Sequence, residues 1–333
     1  MTGKERILSK LRGEPTDSLP LMPITMMFAA NLAGARYARD HRVLADAQVL
    51  VAERFGFDFV SAISDPAREA SDLGATLAWF DDQPPAIVES SVLLDDKSKL
   101  ASLPVPDPSA PRRMRDRLQA LRLLAERTGA TRIIEGWVEG PCPLAADLRG
   151  INTLMMDFSD DAPFVEALFD FTVCMEIEFA RAQVEAGATL IGVGDAAAPL
   201  GGPKLYAQHV LPCEQRLIAA IRAFRVPVRL HISGNTKRIV EGMGQTGADM
   251  IDLDFLTQLA HARRAMPETQ VLLGNIDPVR ELRYGTPASV EAGLAECHEQ
   301  AGAAYICGPG CEVPRDTPHA NLEAMTRFAR SRS

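Results

Sequence analysis

The sequence predicts an α/β fold in which eight strand-and-helix units close into a (β/α)8 TIM barrel. The chain has 333 residues, and eight short apolar segments recur along it with mostly helical patterns between them. Each segment is rich in branched residues and lacks polar alternation, which is typical of strands buried on both faces. The segments span residues 21–26, 57–63, 132–138, 189–195, 226–232, 248–254, 269–275 and 303–309. No linker or internal repeat divides the chain, so we expect a single domain over residues 1–333.

The remaining elements fit this order with one interruption. Residues 1–17 form an amphipathic pattern that predicts an N-terminal helical extension. Residues 72–112, rich in Pro and Asp and with a hairpin pattern, predict an insertion after the second strand, over one barrel mouth. Long helical patterns cover residues 161–187, 203–224 and 287–302, and several of the helical patterns end in Gly. No GxGxxG opens a predicted helix and no GxxxxGK[ST] motif is present, which disfavours the rival open nucleotide-binding sheet.

Composition excludes several classes of partner. The net charge is -9, so we expect no nucleic acid partner and no Lys/Arg cluster of the kind that meets an anionic membrane. The apolar stretch at residues 21–35 contains Pro23 and is too short and broken to span a bilayer. The N-terminus lacks the apolar core of a signal peptide, and the six cysteines form no CxxC pair. We therefore expect a cytoplasmic protein with reduced thiols.

Polar residues follow most of the predicted strands. In a (β/α)8 barrel the functional site lies at the carboxyl ends of the strands. The polar residues at those ends are Asp65, Glu139, Asp195, His231, Asp252, Asp254, Asn275, Asp277, Cys311 and Glu312. Cys311 stands in a glycine-rich loop, where a thiolate is accessible. If the barrel is correct, these side chains converge on one pocket.

Each of these residues has a structural alternative. An aspartate after a strand is often a helix N-cap, which applies to Asp65 and Asp277. Asp252 and Asp254 could pair with arginines across the barrel, and Asn275, which precedes Ile-Asp-Pro, could be a turn residue. A single His231 could be a hydrogen-bonded structural histidine instead of a metal ligand or base.

Six stretches, in order along nearly the whole chain, resemble one known family. They read MTGKERILSKLRGEPTDSLPLMP, DPAREASDLGA, EGPCPLAADLRG, LHISGNT, LLGNIDP and GPGCEVPRDTPHANLEAM. Together they resemble the uroporphyrinogen decarboxylase family, and more narrowly its corrinoid-dependent branch, which includes the methylcobamide:coenzyme M methyltransferases. The resemblance implies a TIM barrel, in agreement with the strand count.

One departure separates the chain from the decarboxylases of that family. They carry an arginine-rich stretch after the first strand that holds substrate carboxylates, whereas this chain reads MMFAANLAG with no arginine before Arg36. An apolar loop could hardly hold a tetrapyrrole with many carboxylates. The resemblance implies instead that Met26, Met27 and Phe28 face an uncharged or flat ligand such as a corrinoid.

The resemblance also implies a zinc site with one ligand changed. The methyltransferases bind zinc through an H-x-C pair after the fifth strand and a cysteine in the GCEVP loop. His231 and Cys311 match the first and third of these ligands, but Ser233 stands at the second. Three interpretations stay open. Zinc could be held by His231, Cys311 and a carboxylate, Asp195 or Glu139, as a harder Lewis acid suited to an ether or amine. Alternatively, zinc could be absent, with His231 a general base partnered by Ser233, or the chemistry could be neither.

The resulting hypothesis is a methyltransferase that moves a methyl group between a corrinoid, as in methylcobalamin, and a small acceptor or donor. A separate corrinoid carrier protein is an implied partner, and the outer helices could pair two copies into a homodimer. The residues expected to position substrate are Asp65, Glu139, Asp195, Asn275 and Asp277. One rival is a decarboxylase that uses Asp65 to stabilise developing charge. The other is a corrinoid- or tetrapyrrole-binding barrel without catalysis.

Overall fold

Seven parallel strands form the main sheet of the computed structural model, which describes residues 1–81 and 83–332. Numbered in chain order, the strands are β1 (Phe59–Ser61), β2 (Leu77–Ala78), β3 (Ala86–Ile87), β4 (Ile133–Glu139), β5 (Leu190–Gly194), β6 (Val228–Ile232), β7 (Met250–Leu253), β8 (Val271–Leu273) and β9 (Tyr305–Ile306). The main sheet runs β1-β4-β5-β6-β7-β8-β9, and β2 pairs with β3 in a separate antiparallel hairpin within the expected insertion. Parallel neighbours require crossover connections, which places all the carboxyl ends at one edge. Seven of the eight predicted strands are therefore confirmed.

The strand predicted at residues 21–26 is wrong. Only an isolated parallel bridge joins Leu21 to Cys307. The Met22 N–H donates to the Cys307 carbonyl at 2.9 Å, and the Asp58 N–H donates to the Leu21 carbonyl at 3.1 Å, so this segment lies between β9 and β1. Pro20 and Pro23 have no N–H to donate, and this prevents a longer ladder from forming.

Helices connect the strands of the main sheet. In chain order they are α1 (Gly3–Leu11), α2 (Met26–Ala33), α3 (His41–Phe55), α4 (Arg68–Leu73), α5 (Arg113–Thr128), α6 (Pro141–Arg149), α7 (Ile151–Asp160), α8 (Ala162–Glu185), α9 (Gly202–Leu205), α10 (Leu211–Ala223), α11 (Val240–Gln245), α12 (Leu259–Ala265), α13 (Pro287–Ala301) and α14 (His319–Arg330). A capping box between Thr2 and Glu5 starts α1. The helix predicted at 203–224 is interrupted by a π-helical turn at Tyr206–Val210. In the part of the chain that the structure describes, no helix is long and apolar enough to cross a membrane.

The interior of the sheet contains a buried charge network as well as apolar side chains. Every residue of β4, β5, β6 and β7 is buried. Arg229 on β6 is fully buried and binds Glu135 on β4 at 3.0 Å and Asp252 on β7 at 2.6 Å. Asp252 therefore does pair with an arginine, as one reading of the sequence expected. Mutual pairing compensates the cost of burying these charges and ties three strands together.

Candidate active site

His231, Ser233 and Cys311 come together at the carboxyl end of β6. The His231 Nε2 atom lies 3.0 Å from Ser233 Oγ, and Cys311 Sγ lies 3.8 Å from each of these two atoms. Cys311 arrives from the loop after β9, which passes very close to the segment after β7. A Cβ atom at Gly310 would lie 2.2 Å from the Phe255 backbone nitrogen, so only glycine permits this approach. The loop thereby brings a distant cysteine to the histidine.

Asp252 orients the His231 ring from behind. The two residues are register partners on β7 and β6, and His231 Nδ1 lies 2.9 Å from Asp252 Oδ2. This leaves Nε2 directed toward Ser233 and Cys311. Burial lowers the pKa of His231, but the charge and hydrogen bond of Asp252 together with the contact and charge of Cys311 outweigh burial and raise the pKa to about 10. A carboxylate behind an imidazole is a common way to fix the tautomer of a metal-binding or proton-transferring histidine.

The Cys311 thiol is shifted toward its ionised form. Burial raises the pKa of Cys311, but its contact with His231 and the charge of that ring lower it by more, so the net shift is downward. The thiolate is the form of cysteine that binds metals and acts as a nucleophile. The site therefore pairs a cationic imidazole with a readily ionised thiol.

These three donor atoms suit a tetrahedral cation. Zinc bonds of about 2.0–2.3 Å place neighbouring ligand atoms roughly 3.3–3.7 Å apart, and the separations here are 3.0 Å and 3.8 Å. Within residues 1–81 and 83–332, no three His, Cys, Asp or Glu side chains form a group that could hold a metal ion. Asp195 and Glu139 thus do not complete such a group. The third donor is the Ser233 hydroxyl, a neutral oxygen.

Asp65 is occupied by an arginine. Arg113 at the start of α5 approaches both Asp65 oxygens, at 3.0 Å and 2.6 Å, and the Ser64 hydroxyl donates to Asp65 at 2.8 Å. Asp65 is almost fully buried. Asp65, which was expected to position substrate, is therefore held in an ion pair, and Arg113 is a neighbouring residue that the sequence analysis did not select.

Glu139 and Asp195 belong to a buried acidic region at the ends of β4 and β5. Both Asp195 oxygens lack hydrogen-bond donors within the described residues, and its carboxyl lies against Glu214. Burial, followed by the charge of Glu214, raises the pKa of Asp195 well above its usual range. Burial and the charge of Glu69 do the same for Glu139. The direction of both pKa shifts favours the neutral carboxyl over the carboxylate that metal binding requires.

Asn275 and Asp277 lie in a different cavity. The Asn275 amide donates to the carbonyls of Asp254 and Thr257, at 3.0 Å and 2.6 Å, and so holds the loop after β7. Asp277 accepts hydrogen bonds from two backbone N–H groups and caps the π-helical turn at Pro278–Arg283. Both line a cavity of about 570 Å³ that does not include His231, Ser233 or Cys311. Their contacts are structural, as the alternative readings expected for Asp277.

The three apolar residues of α2 divide between three environments. Met27 lines a cavity of about 170 Å³ together with Tyr37, Ser64 and Arg315. Met26 packs on an apolar cluster of Ile24, Ile63 and Trp137. Phe28 is 2% exposed and packs edge-on against Phe55 and His319, which places it in the core instead of facing a ligand. Only Met27 lines an open cavity.

The sequence analysis did not select Trp137 and gave Glu312 no particular role. Trp137 on β4 lies against β5, where a Cβ atom at Gly192 would meet its ring at 2.3 Å. The two glycines in the β5 sequence LIGVG were the available signal for a large ring on the neighbouring strand. Glu312, next to Cys311, accepts a hydrogen bond from the Met27 N–H at 2.8 Å and so ties the cysteine loop to α2.

Comparison with known proteins places this site in a family. The model for uroporphyrinogen decarboxylase (URO-D) matches residues 2–332. The chain belongs to the uroporphyrinogen decarboxylase family. It is 31% identical over 340 residues to the methylcobamide:CoM methyltransferase MtbA of Methanosarcina mazei, covering 99% of this chain and 98% of that relative. It is 28% identical over 348 residues to the uroporphyrinogen decarboxylase of Thermus thermophilus, covering 97% and 96%.

A solved structure has the same fold. The methyltransferase from Methanosarcina mazei superposes with a TM-score of 0.90 at 23% identity, covering 99% of this chain and 98% of that chain. The family expected from the sequence motifs and the expected enzyme class, a methyltransferase, are both confirmed.

Proposed function

We propose that this chain is a corrinoid-dependent methyltransferase of one barrel domain, closed by the segment at residues 20–24 between β9 and β1. The observation that carries the proposal is the junction of His231, Ser233 and Cys311 at the carboxyl end of the sheet. The names of relatives such as the methylcobamide:CoM methyltransferase of Methanosarcina mazei support a corrinoid as one substrate. A protein that carries the corrinoid and a small methyl acceptor or donor are the partners that follow.

The residues at the junction fit a zinc ion, with His231, Cys311 and Ser233 as its protein ligands. When bound, zinc would supply a Lewis acid that takes up the acceptor's sulfur or oxygen at an open position and lowers its pKa. Asp252 holds His231 with Nε2 toward the site, and Arg229 fixes Asp252 in turn. The hydrogen bond from Met27 to Glu312 holds the Cys311 loop in place.

Methyl transfer also needs an apolar surface that excludes water, and apolar side chains at the mouth supply it. Met26, Ile24, Ile63 and Trp137 form an apolar cluster at the strand ends. Such a surface excludes water from a reactive methyl group and accepts a flat, uncharged ring. A decarboxylase acting on a polycarboxylate would need cations at this place, but α2 contains no basic residue and Asp65 is already paired with Arg113.

Metal analysis together with an activity assay tests the proposal. We expect about one zinc per chain in protein purified without an affinity tag, and loss of that zinc in Cys311→Ala. Cys174→Ala, which removes an exposed cysteine elsewhere in the chain, is the matched control and should retain zinc. With zinc bound, the protein should transfer methyl groups from methylcobalamin to coenzyme M or to another small thiol or amine.

Two outcomes would reject parts of this proposal separately. Zinc that is absent even after reconstitution would remove the metal and leave His231 as a general base with Ser233. Absence of methyl exchange with every acceptor and donor class, in protein that is folded, would reject the methyltransferase and favour a decarboxylase or a binding barrel without catalysis.

A further inference from the structure

The carboxylate of Asp254 holds the chain beside Ser233. Asp254 directly follows β7, and its Oδ2 atom accepts a hydrogen bond from the Gly234 N–H at 2.8 Å. Its Oδ1 atom accepts another from the Leu256 N–H at 2.9 Å. Asp254 is only 4% exposed, so water competes little for these bonds. One buried carboxylate therefore joins the loop after β6, which carries Ser233, to the loop after β7.

The loop after β7 is itself held by its neighbours on both sides. The Asn275 amide, from the loop after β8, donates to the carbonyls of Asp254 and Thr257. On the other side, Thr257 Oγ1 lies 2.9 Å from Thr236 Oγ1, and both threonines are fully buried. The loop after β7 thus has a fixed position, and the contact between the threonines keeps it beside the loop after β6 even without the Asp254 carboxylate.

The same loop also borders the loop that carries Cys311. The Phe255 backbone nitrogen approaches Gly310 so closely that a Cβ atom there would lie 2.2 Å from it. Because Phe255 directly follows Asp254, one short segment touches the loops of both Ser233 and Cys311. The Ser233 Oγ and Cys311 Sγ atoms lie 3.8 Å apart although they come from separate loops. The segment after β7 is therefore the common support of these two donor atoms.

We propose that Asp254 is a positioning residue that holds Ser233 in place as a metal ligand, an inference that rests on the proposed function. Asp252 orients His231 through a direct contact, and Asp254 gives Ser233 the corresponding support through the backbone. Gly234 turns the chain there with a φ of 88°, a conformation that favours glycine. A neutral hydroxyl attracts a cation weakly, so its contribution depends on being held at the right place.

A double-mutant cycle on zinc affinity tests the inference, with competition against a chromophoric chelator as the measurement. Asp254→Ala should weaken zinc binding by about tenfold, which is the size of effect that partners of metal ligands usually have. Ser233→Ala removes the hydroxyl that Asp254 positions. In that background, Asp254→Ala should weaken zinc binding by less than about twofold, because no hydroxyl is left to place.

Asp249→Ala is the matched control. Asp249 precedes β7 at the opposite edge of the sheet, and its Oδ2 atom accepts a hydrogen bond from the N–H of Val228, the first residue of β6, at 2.8 Å. The variant loses the same kind of bond between the same two strands, but far from the donor atoms along both strands. Its zinc affinity should equal that of the unmodified chain, and urea unfolding establishes that each variant is folded.

Cobalt(II) in place of zinc adds a spectroscopic measurement. The charge-transfer band between thiolate and cobalt should remain in Asp254→Ala, because Cys311 still binds. The d–d bands should weaken, because water replaces the displaced hydroxyl and cobalt of higher coordination number absorbs less strongly than tetrahedral cobalt. If Asp254→Ala does not fold, Asp254→Asn, which keeps one of the two acceptors, undergoes the same tests with an expected loss of about threefold in zinc affinity.

The outcomes separate this inference from the proposed function. Equal zinc affinity in Asp254→Ala and the unmodified chain overturns the inference, and so does an unmodified chain that binds no zinc. An equal loss with and without the Ser233 hydroxyl also overturns it, because Asp254 would then act on the whole fold or on the other ligands. Zinc affinity that depends on Asp254 only when Ser233 is present, in protein that transfers no methyl group, would support this inference and reject the methyltransferase.

Discussion

Ser233 determines how much charge a cation would meet at the carboxyl end of the sheet. Of the donors His231 Nε2, Ser233 Oγ and Cys311 Sγ, only the thiol becomes an anion at ordinary pH. One thiolate leaves a divalent ion with a net positive charge, so the site would be a harder Lewis acid than one with two thiolates. A hard centre favours oxygen or nitrogen acceptors more than the same site with a second cysteine would.

Ser233→Cys should therefore tighten zinc binding by about tenfold or more, because a second thiolate replaces a neutral hydroxyl. Competition for zinc against a chromophoric chelator measures the change. Ser109→Cys adds an exposed cysteine away from the site and should leave the affinity unaltered. Equal zinc affinity in Ser233→Cys and the unmodified chain would mean that position 233 does not contact the metal.

At the scale of elements, α10 and the π-helical turn before it enclose a buried acid. The Tyr206 hydroxyl donates to Glu214 at 2.6 Å, and Asp195 at the end of β5 and the Cys142 thiol face the same space. Burial raises the pKa of Glu214 to about 7. The folded protein thus retains a proton on Glu214 at a pH where the unfolded chain has lost it.

This shift makes stability depend on pH in a definite direction. Between the unfolded pKa of about 4.5 and the folded pKa of about 7, the folded state binds more protons, so the free energy of unfolding falls as the pH rises. This loss should be absent in Glu214→Gln. Between pH 5 and pH 8, the free energy of unfolding of the variant should therefore fall by roughly 1–3 kcal/mol less than that of the unmodified chain. Urea unfolding at both pH values measures it. The exposed Glu241→Gln should follow the unmodified chain, and a Glu214→Gln curve identical to that chain would contradict the assignment.

At the scale of the whole molecule, Arg229 joins β4, β6 and β7 inside the sheet and also supports the candidate site. It binds Glu135 and Asp252 with all three side chains at most 1% exposed, and Asp252 in turn contacts His231. Removing the arginine alone would leave buried carboxylates without a partner, which is costly, whereas replacing all the charges with apolar groups of similar size is often neutral.

We expect Arg229→Met to lower the free energy of unfolding by roughly 3–5 kcal/mol. Arg229→Met combined with Glu135→Leu and Asp252→Leu should recover most of this stability, yet lose zinc affinity because His231 is no longer oriented. Chemical denaturation and chelator competition measure the two effects separately. A single variant as stable as the unmodified chain would show that the network contributes little.

The sequence by itself determined the parallel α/β architecture, the family and the candidate ligands His231 and Cys311. Apolar runs without alternation specify strands buried on both faces, and such strands require helical crossovers. The motifs HISGNT and GPGCEVP are local in the chain, so they can be recognised without knowing what surrounds them. The same reasoning overestimated one strand, because the two prolines at 20 and 23 remove the hydrogen-bond donors that a ladder needs.

Only the tertiary structure decided how the polar residues divide among sites. Residues at strand ends look equivalent in sequence, yet Asp65 is paired with Arg113, Asn275 and Asp277 hold loops, and Asp195 lies buried against Glu214. One surface cavity likewise joins Arg39 to Arg112, Arg113 and Arg115, which are distant in the sequence. Pairing and burial depend on which side chains meet across separate elements, and that information is carried by the packing of the whole chain and by no single stretch of it.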